Sequence, residues 1–475
     1  MLYEPLSRQD LETIHARSLD LLARVGVDLQ GKRSREILFS AGCREKGGRL
    51  LFPPALVEEA LKNTPPITLY GIDESIEMPL TGAGRSYSHN FGSVFHLLDP
   101  ESGQVRTATV RDLEEYVWVS DKLPHLDQVV PSLWPTDVPE TVATLAASVY
   151  AMRNTRKPVD IGMATSPWEM RLLIEIAATV RGGMERLRRK PMGTISISNL
   201  SPLHFPAEVS ETIVEAAASG LPLTMLPCPI NGMTAPVTLV GGFVQQNAEQ
   251  LAFLTLARLV NRDCPLIYAS RLCAADMRTG FVSGNNLVRG FAGACAAQMA
   301  RYYGLPSAVY GMETAAPLPD IQSGYERALN CFLPLLAGGT LISGFGSLNG
   351  GTLASVEQLV IDDEIYAMMM HRRAGLAVDK ETMAAGVIKA AVAGGSFLAQ
   401  EHTRDFLRRG ELWQGELGLA LPYEEWRAQG CPSLRERARE KLRQIVKGYP
   451  GPLLEEKLCR ELDLILEKAA AEKAG

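Results

Sequence analysis

The chain of 475 residues has eight cysteines but no Cys-x-x-Cys pair. They are scattered at positions 43, 228, 264, 273, 295, 331, 431 and 459, so neither a disulfide framework nor a thiolate zinc site is signalled. Several lie in apolar runs, where cysteine acts as a small hydrophobe. No uncharged apolar run reaches the roughly 18 residues that a membrane span needs. The first residues, MLYEPLSRQDLETIHARSLDLLARVGV, have no apolar signal core and read as an ordinary amphipathic helix. A cytoplasmic, reducing location is therefore expected. There is no excess of positive charge: the net charge is -6, which argues against nucleic acid as the main partner. No Gly-x-Gly-x-x-Gly follows any apolar run, which leaves a dinucleotide-binding fold unsupported. No nucleophile elbow and no lysine at a strand end appear, so hydrolysis and Schiff-base chemistry find little support.

What is present is an ordinary globular composition, 46% hydrophobic and 21% charged, long enough for one large α/β domain with additions. From about residue 125 the pattern alternates. Apolar, β-rich runs lie at Gln128–Leu133, Pro158–Met163, Met192–Ile197, Leu221–Pro227, Pro265–Ala269, Ser307–Gly311 and Thr340–Gly344. Each leads through a polar or Gly/Pro loop into a helical stretch, at 140–153, 167–181, 206–219, 238–261, 284–303, 322–336 and 353–373. Phe397–Gln400 is the candidate for an eighth strand. Strands alternating with helices imply a parallel sheet with helices outside it, and the number of units predicts an α/β fold of the (β/α)8 barrel type. The expected organisation is N-terminal helices and a β-ribbon over 1–124, the barrel over 125–404 and a helical extension over 405–475. Residues 86–108 read as the ribbon, which would carry His89 and Asn90 outside the barrel. Ser7 with Asp10, and Thr109 with Asp112, read as helix starts.

In such a barrel the site lies at the carboxyl ends of the strands. The residues that follow the strands are Trp134 and Asp137, Thr165, Asn199 and Ser201, Asn231 and Met233, Ser270 and Arg271, Glu313, Phe345 and His402. Glu313 and His402 are the candidate acid–base groups. Asn199, Asn231, Arg271, Asp320, Gln322 and Phe345 are the candidate substrate contacts. Each has a structural alternative. Asp320 suits a helix cap, Arg271 an ion pair with Asp276, and the asparagines suit turns. Glycine on both sides of Phe345 lets backbone or ligand approach closely.

Scaffold segments run through almost the whole chain. They include Gly103-Gln104-Val105-Arg106-Thr107-Ala108-Thr109, Pro135-Thr136-Asp137-Val138-Pro139, Pro319-Asp320-Ile321-Gln322 with Gly324-Tyr325-Glu326, Ser355-Val356-Glu357-Gln358-Leu359-Val360-Ile361-Asp362-Asp363-Glu364, and Gly394-Gly395-Ser396-Phe397-Leu398 with His402-Thr403. In this order the chain resembles the trimethylamine methyltransferase superfamily, in its branch without pyrrolysine, which includes glycine betaine enzymes. The resemblance implies a barrel that moves a methyl group from a small substrate to the Co(I) of a separate corrinoid protein. It also implies no cofactor bound tightly by this chain. A homo-oligomer is a further expectation. The loop Glu313-Thr314-Ala315-Ala316-Pro317-Leu318 and the run Ser283-Gly284-Asn285-Asn286 depart from the family's wording, which leaves the substrate open.

Leaving-group chemistry narrows that choice. A quaternary ammonium departs as a neutral amine and needs no acid, whereas a methoxy-arene must expel an aryloxide with help from an acid or a metal. The strand ends are short of acids, which favours a quaternary amine such as glycine betaine, held by aromatic faces and a carboxylate. Two alternatives stand beside it: O-demethylation of methoxylated aromatics, and a non-catalytic betaine-binding barrel. The E-x14-E-x20-H zinc spacing of related ether-cleaving enzymes is incomplete here. Glu381 and His402 fit it, but Tyr366 occupies the first position. No metal ligands are assigned.

Overall fold

The computed structural model of the chain describes residues 2–62, 64–81, 85–283, 287–373 and 375–474. At its centre is a curled, mostly parallel sheet. Six of its strands are β1 (Tyr87–Asn90), β2 (Ile195–Ile197), β3 (Leu223–Met225), β4 (Leu266–Ser270), β5 (Ser307–Tyr310) and β6 (Leu341–Phe345), hydrogen-bonded in the order β1-β6-β5-β4-β3-β2. Parallel bridges continue the pairing beyond both ends: Gly162 to Ile195, Val129 to Val159, and His89 to Gln128. The runs 128–133 and 158–163 therefore take part in the sheet through single bridges rather than full ladders. The helices between the strands follow the sequence pattern closely, among them Pro167–Arg181, Ala207–Ser219, Leu239–Val260 and Ile321–Leu336. The helix expected from residue 284 is described from Val288 to Tyr302, and residues 284–286 lie outside the described residues.

Two expectations need correction. Tyr87–Asn90 is not part of an outlying ribbon but pairs in parallel with β6, Ser88 standing opposite Ile342. Its pattern explains the misreading. The run Tyr-Ser-His-Asn is polar, yet all four residues are buried, because their side chains find partners inside. Only the second half of the 86–108 stretch forms a ribbon, His96–Leu98 antiparallel to Val105–Thr107 across the turn at 99–103. Phe397–Gln400 is not a strand either. Phe397–Ala399 forms one 3-10 turn, with Phe397 and Leu398 exposed at 53% and 91%. Residues 375–404 thus lie outside the sheet.

Ahead of β1 the described residues between 2 and 81 pack on the body, Leu11, Leu22 and Val57 in one core cluster and Ile67, Leu69 and Met78 in another. The helix Arg8–Arg24 opens with a reciprocal cap between Ser7 and Asp10, and Val110–Lys122 with one between Thr109 and Asp112. Both were legible as sequence. Asp137 accepts a hydrogen bond from the Val110 N–H at 2.8 Å, so it seats the second of these helices instead of facing a ligand. At the other end the helices Leu434–Lys447 and Glu456–Ala474 pack back on the body. Arg435 and Arg439 meet the buried Glu357 at 2.6 and 3.1 Å, and Arg153 meets Asp463 at 2.7 Å.

Candidate functional site

A cavity of about 130 Å³ opens at the carboxyl ends of the parallel segments. Each contributes to its lining: His89, Val130, Asp160, Ser196, Cys228, Arg271, Tyr310 and Ser343. Phe91 and Met163 add apolar surface. Of the residues expected to touch substrate, Arg271 alone is in this lining.

Arg271 is 5% exposed. Its Nη1 donates to the carbonyls of Ser270 and Ala308 at 3.1 and 3.0 Å, which fixes the guanidinium at the end of β4. The pairing with Asp276 does not form; Asp276 is taken by Arg278 at 2.6 Å. The Arg271 guanidinium stacks 4.3 Å from the centre of the Tyr310 ring, and Arg289 lies 5.0 Å from the same ring. Arg289 is held in turn by an ion pair with Glu313. Glu313, 2% exposed, is thus a charge partner one side chain removed from the cavity lining.

Asp160 brings the carboxylate. It accepts from the hydroxyls of Thr194 and Ser196, both at 2.8 Å, and from the Gly162 N–H at 3.0 Å. Burial pushes its pKa up, and these hydrogen bonds oppose the shift. His89 donates from Nδ1–H to the Asn90 carbonyl, 2.7 Å away. Burial first, and Arg271 second, bring its imidazole down to about 3, so the ring is neutral at pH 7. Cys228 stands on the rim. A hydrogen bond from Cys273, then Arg289 and Arg271, draw its thiol down to about 7 against the effect of burial.

The remaining expected contacts lie elsewhere. Asp320 caps the helix Ile321–Leu336, accepting from the Ser323 N–H at 3.0 Å. Gln322 donates to Glu326 at 2.9 Å, and Glu326 also accepts from the Thr314 hydroxyl and the Ala315 N–H. This set braces the loop after β5. Phe345 is fully buried, edge-on to Tyr366 with ring centres 5.3 Å apart. The glycines beside it serve backbone approach, not ligand approach. A Cβ on Gly346, whose φ is 76°, would meet the Tyr116 hydroxyl at 2.3 Å. Asn231 packs against Gly242, where a Cβ would come within 2.0 Å of its Oδ1. Asn199 donates to the Leu200 carbonyl at 3.3 Å and lies next to the Glu249 carboxylate. His402 sits on the helix Glu401–Arg408, stacked on Phe406 at 4.3 Å. Its Nε2 lies 3.1 Å from the Glu381 carbonyl. The zinc-like spacing thus brings Glu381 and His402 together through backbone, while Tyr366 is buried at Phe345.

Apart from Arg271 the residues that follow the strands lie beyond the lining, because inward side chains end before the loop does. Asp160 had a signal: it is the one charge in the run Val159-Asp160-Ile161-Gly162-Met163. His89 had none beyond its strand. A second constellation explains the two long scaffold segments. Arg327, fully buried, pairs with Asp362 at 2.8 Å and donates to the carbonyls of Met312 and Ser347. Ser323 donates to Gln358 at 3.0 Å, and Gln358 to Asp362 at 2.8 Å. Asp362 also accepts from the Gly346 N–H at 2.8 Å. The two segments interlock, and their lock fixes the loops after β5 and β6.

A parallel sheet with outer helices and a small, largely apolar cavity at its carboxyl end, with Arg271 and Asp160 in its lining, defines the class as α/β. The sequence profile of the trimethylamine methyltransferase (MTTB) family matches residues 1–474, and the chain belongs to this family. It is a methyltransferase. It is 30% identical to the trimethylamine methyltransferase MttB of Desulfitobacterium hafniense over 469 residues, 98% of this chain and 94% of that one. It is 27% identical to the glycine betaine methyltransferase of the same species, over 99% of this chain and 98% of that one. In fold it is similar to the monomethylamine methyltransferase (MtmB) of Methanosarcina barkeri, with a TM-score of 0.51 at 13% identity, over 94% of this chain and 89% of that one.

Proposed function

We propose that this methyltransferase takes a methyl group from a small quaternary amine that carries a carboxylate, of the glycine betaine class, and passes it to the Co(I) of a separate corrinoid protein. The observation that carries this reading is that Arg271 and Asp160 line one small cavity together with Phe91 and Tyr310. Arg271 would hold the carboxylate by charge-assisted hydrogen bonds. Asp160, Phe91 and Tyr310 would face the ammonium. A cavity of about 130 Å³ suits a small substrate. His89 is neutral and Glu313, outside the lining, is engaged by Arg289, which leaves Asp160, raised by burial, as the lining's carboxylic acid. Departure of a neutral tertiary amine requires no acid. In this reading Glu313 positions Arg289, and His402 lies away from the chemistry. The bridges beyond β1 and β2 support a closed (β/α)8 barrel whose mouth would receive the cobalt.

The test mixes the protein with its cognate Co(I) corrinoid protein and candidate methyl donors. Methyl-Co(III) should appear in the absorption spectrum with a carboxylated quaternary amine. Methylation of cobalt from methoxylated aromatics alone would overturn the substrate. Tight betaine binding with no methylation of cobalt would overturn the activity.

A further inference from the structure

Cys228 and Cys273 lie on two short parallel segments that run on from β3 and β4. Ile230 stands opposite Cys273, and the N–H groups of Arg271 and Cys273 donate to the carbonyls of Pro227 and Pro229 at 3.1 and 3.2 Å. Cys228 precedes Ile230 by two residues, so its side chain leaves the same face as that of Cys273. Pro229 has no N–H to offer the Arg271 carbonyl. The Cys228 thiol takes that place, 3.5 Å from the oxygen. The Cys273 sulfur lies 4.0 Å from the Pro229 carbonyl, so each thiol rests on the other's segment. Between them the Cys273 thiol donates to the Cys228 sulfur.

Their surroundings differ. Cys228 is exposed, and what it faces is the cavity, where it shares the wall with Arg271. Cys273 is 1% exposed. The hydrogen bond between them, and then the charges of Arg289 and Arg271, draw Cys228 toward the thiolate. The same bond, and then burial, push Cys273 well above the usual thiol range. An open thiolate backed by a second thiol is the arrangement of an attacking and a resolving cysteine.

We propose that Cys228 and Cys273 form a modification site, a dithiol that hydrogen peroxide entering the cavity closes to a reversible disulfide. The Cys228 thiolate attacks one peroxide oxygen. The O–O bond breaks, and hydroxide leaves with the electron pair and takes up the proton that Cys228 had released. Cys228 is then an uncharged sulfenic acid, and the bond that kept the proton on Cys273 weakens. The Cys273 sulfur gives up that proton and attacks the Cys228 sulfur, and the hydroxyl of the sulfenic acid departs with the proton as water. Two thiols and one peroxide become one disulfide and two waters. Closure takes the Cys228 sulfur from the Arg271 carbonyl and changes the cavity wall. It also holds Cys228 at a stage that a thiol can reverse, short of the irreversible acids. The dithiol does not depend on which methyl donor the cavity takes.

The experiment treats the reduced full chain with a small excess of hydrogen peroxide, quenches with N-ethylmaleimide and maps the cysteines by mass spectrometry. One pair of peptides should be joined through Cys228 and Cys273, two hydrogens lighter than its parts, and dithiothreitol should separate it. Cys431, also exposed, is the internal comparison. Cys228 should be consumed roughly tenfold faster. Its rate should rise with pH through about 7. In Cys273→Ser, dimedone should trap a sulfenic acid on Cys228 that wild type resolves. In Cys228→Ser, Cys273 should stay a thiol. Glycine betaine should slow the closure of wild type. Closure that ignores betaine counts against betaine as the cavity's ligand and leaves the dithiol standing. A wild type in which Cys228 stops at an acid without the link, reacts no faster than Cys431 or joins another cysteine overturns the proposal.

Discussion

In the proposed function Arg271 is the charge prepared for the substrate carboxylate. Two backbone carbonyls, one at the end of β4 and one within β5, fix one nitrogen, and an aromatic ring fixes the plane. Lysine cannot reproduce either contact. Arg271→Lys should lower kcat/KM for a carboxylated quaternary amine by about 100-fold, or ~3 kcal/mol, in the cobalt-methylation assay. A substrate of similar size without a carboxylate should lose much less. His89 makes a statement about pH. Its pKa falls from about 6.5 unfolded to about 3 folded, so the unfolded chain binds the extra proton first as the medium acidifies. The stability held by neutral His89 is complete above pH ~6.5 and is lost as the pH falls toward 3. Urea midpoints should drop more steeply below pH 6 in wild type than in His89→Gln. Arg271 and Asp160 share the cavity and are present in both proteins, so the difference reports the imidazole. Cys228 should be alkylated by iodoacetamide with a midpoint near 7, and betaine in the cavity should slow the reaction.

Among the elements, the segments 319–327 and 355–364 were the most recognisable part of the sequence, and their role is now physical. They meet each other through Arg327, Ser323, Gln358 and Asp362, and supply no residue to the lining at the strands' carboxyl ends. Arg327→Met leaves a buried carboxylate without its partner and should cost about 3–5 kcal/mol in urea unfolding. Adding Asp362→Leu should recover part of that loss, which a simple sum of the two would not. Gly346→Ala meets both a left-handed φ and the Tyr116 hydroxyl, and should fold poorly. Helix and strand positions were readable because apolar periodicity and capping pairs are local signals. The site was less so. Asp160 was visible as a charge in an apolar strand, but Phe345 and Asp320 looked functional for reasons, flanking glycines and a loop acid, that proved to serve packing and capping. The polar strand Tyr87–Asn90 escaped because its burial depends on partners far along the chain, which no local pattern records.

For the whole molecule, that strand changes where the folding unit begins. If residues 1–124 were only a covering, a fragment starting at residue 125 would fold. With β1 paired to β6, the fragment lacks a sheet strand and part of its cavity wall, and should show no cooperative thermal transition by circular dichroism. The C-terminal helices are tied in as firmly, Trp118 donating to the Ile445 carbonyl at 2.8 Å. The β1–β6 seam has a consequence in time as well as in space. Ser86 and Gly339, which meet at its edge, are 253 residues apart. A nascent chain exposes β1 early and cannot pair it with β6 until some 250 further residues have been made, which at roughly 5–20 residues per second is tens of seconds. Bringing such distant segments together is also what slows folding once synthesis ends. The neighbours 319–327 and 355–364 can lock as soon as both emerge. β6 emerges between those two segments, so the seam and the interlock become possible together, with β1 having waited for β6 as one of the earliest sheet strands made.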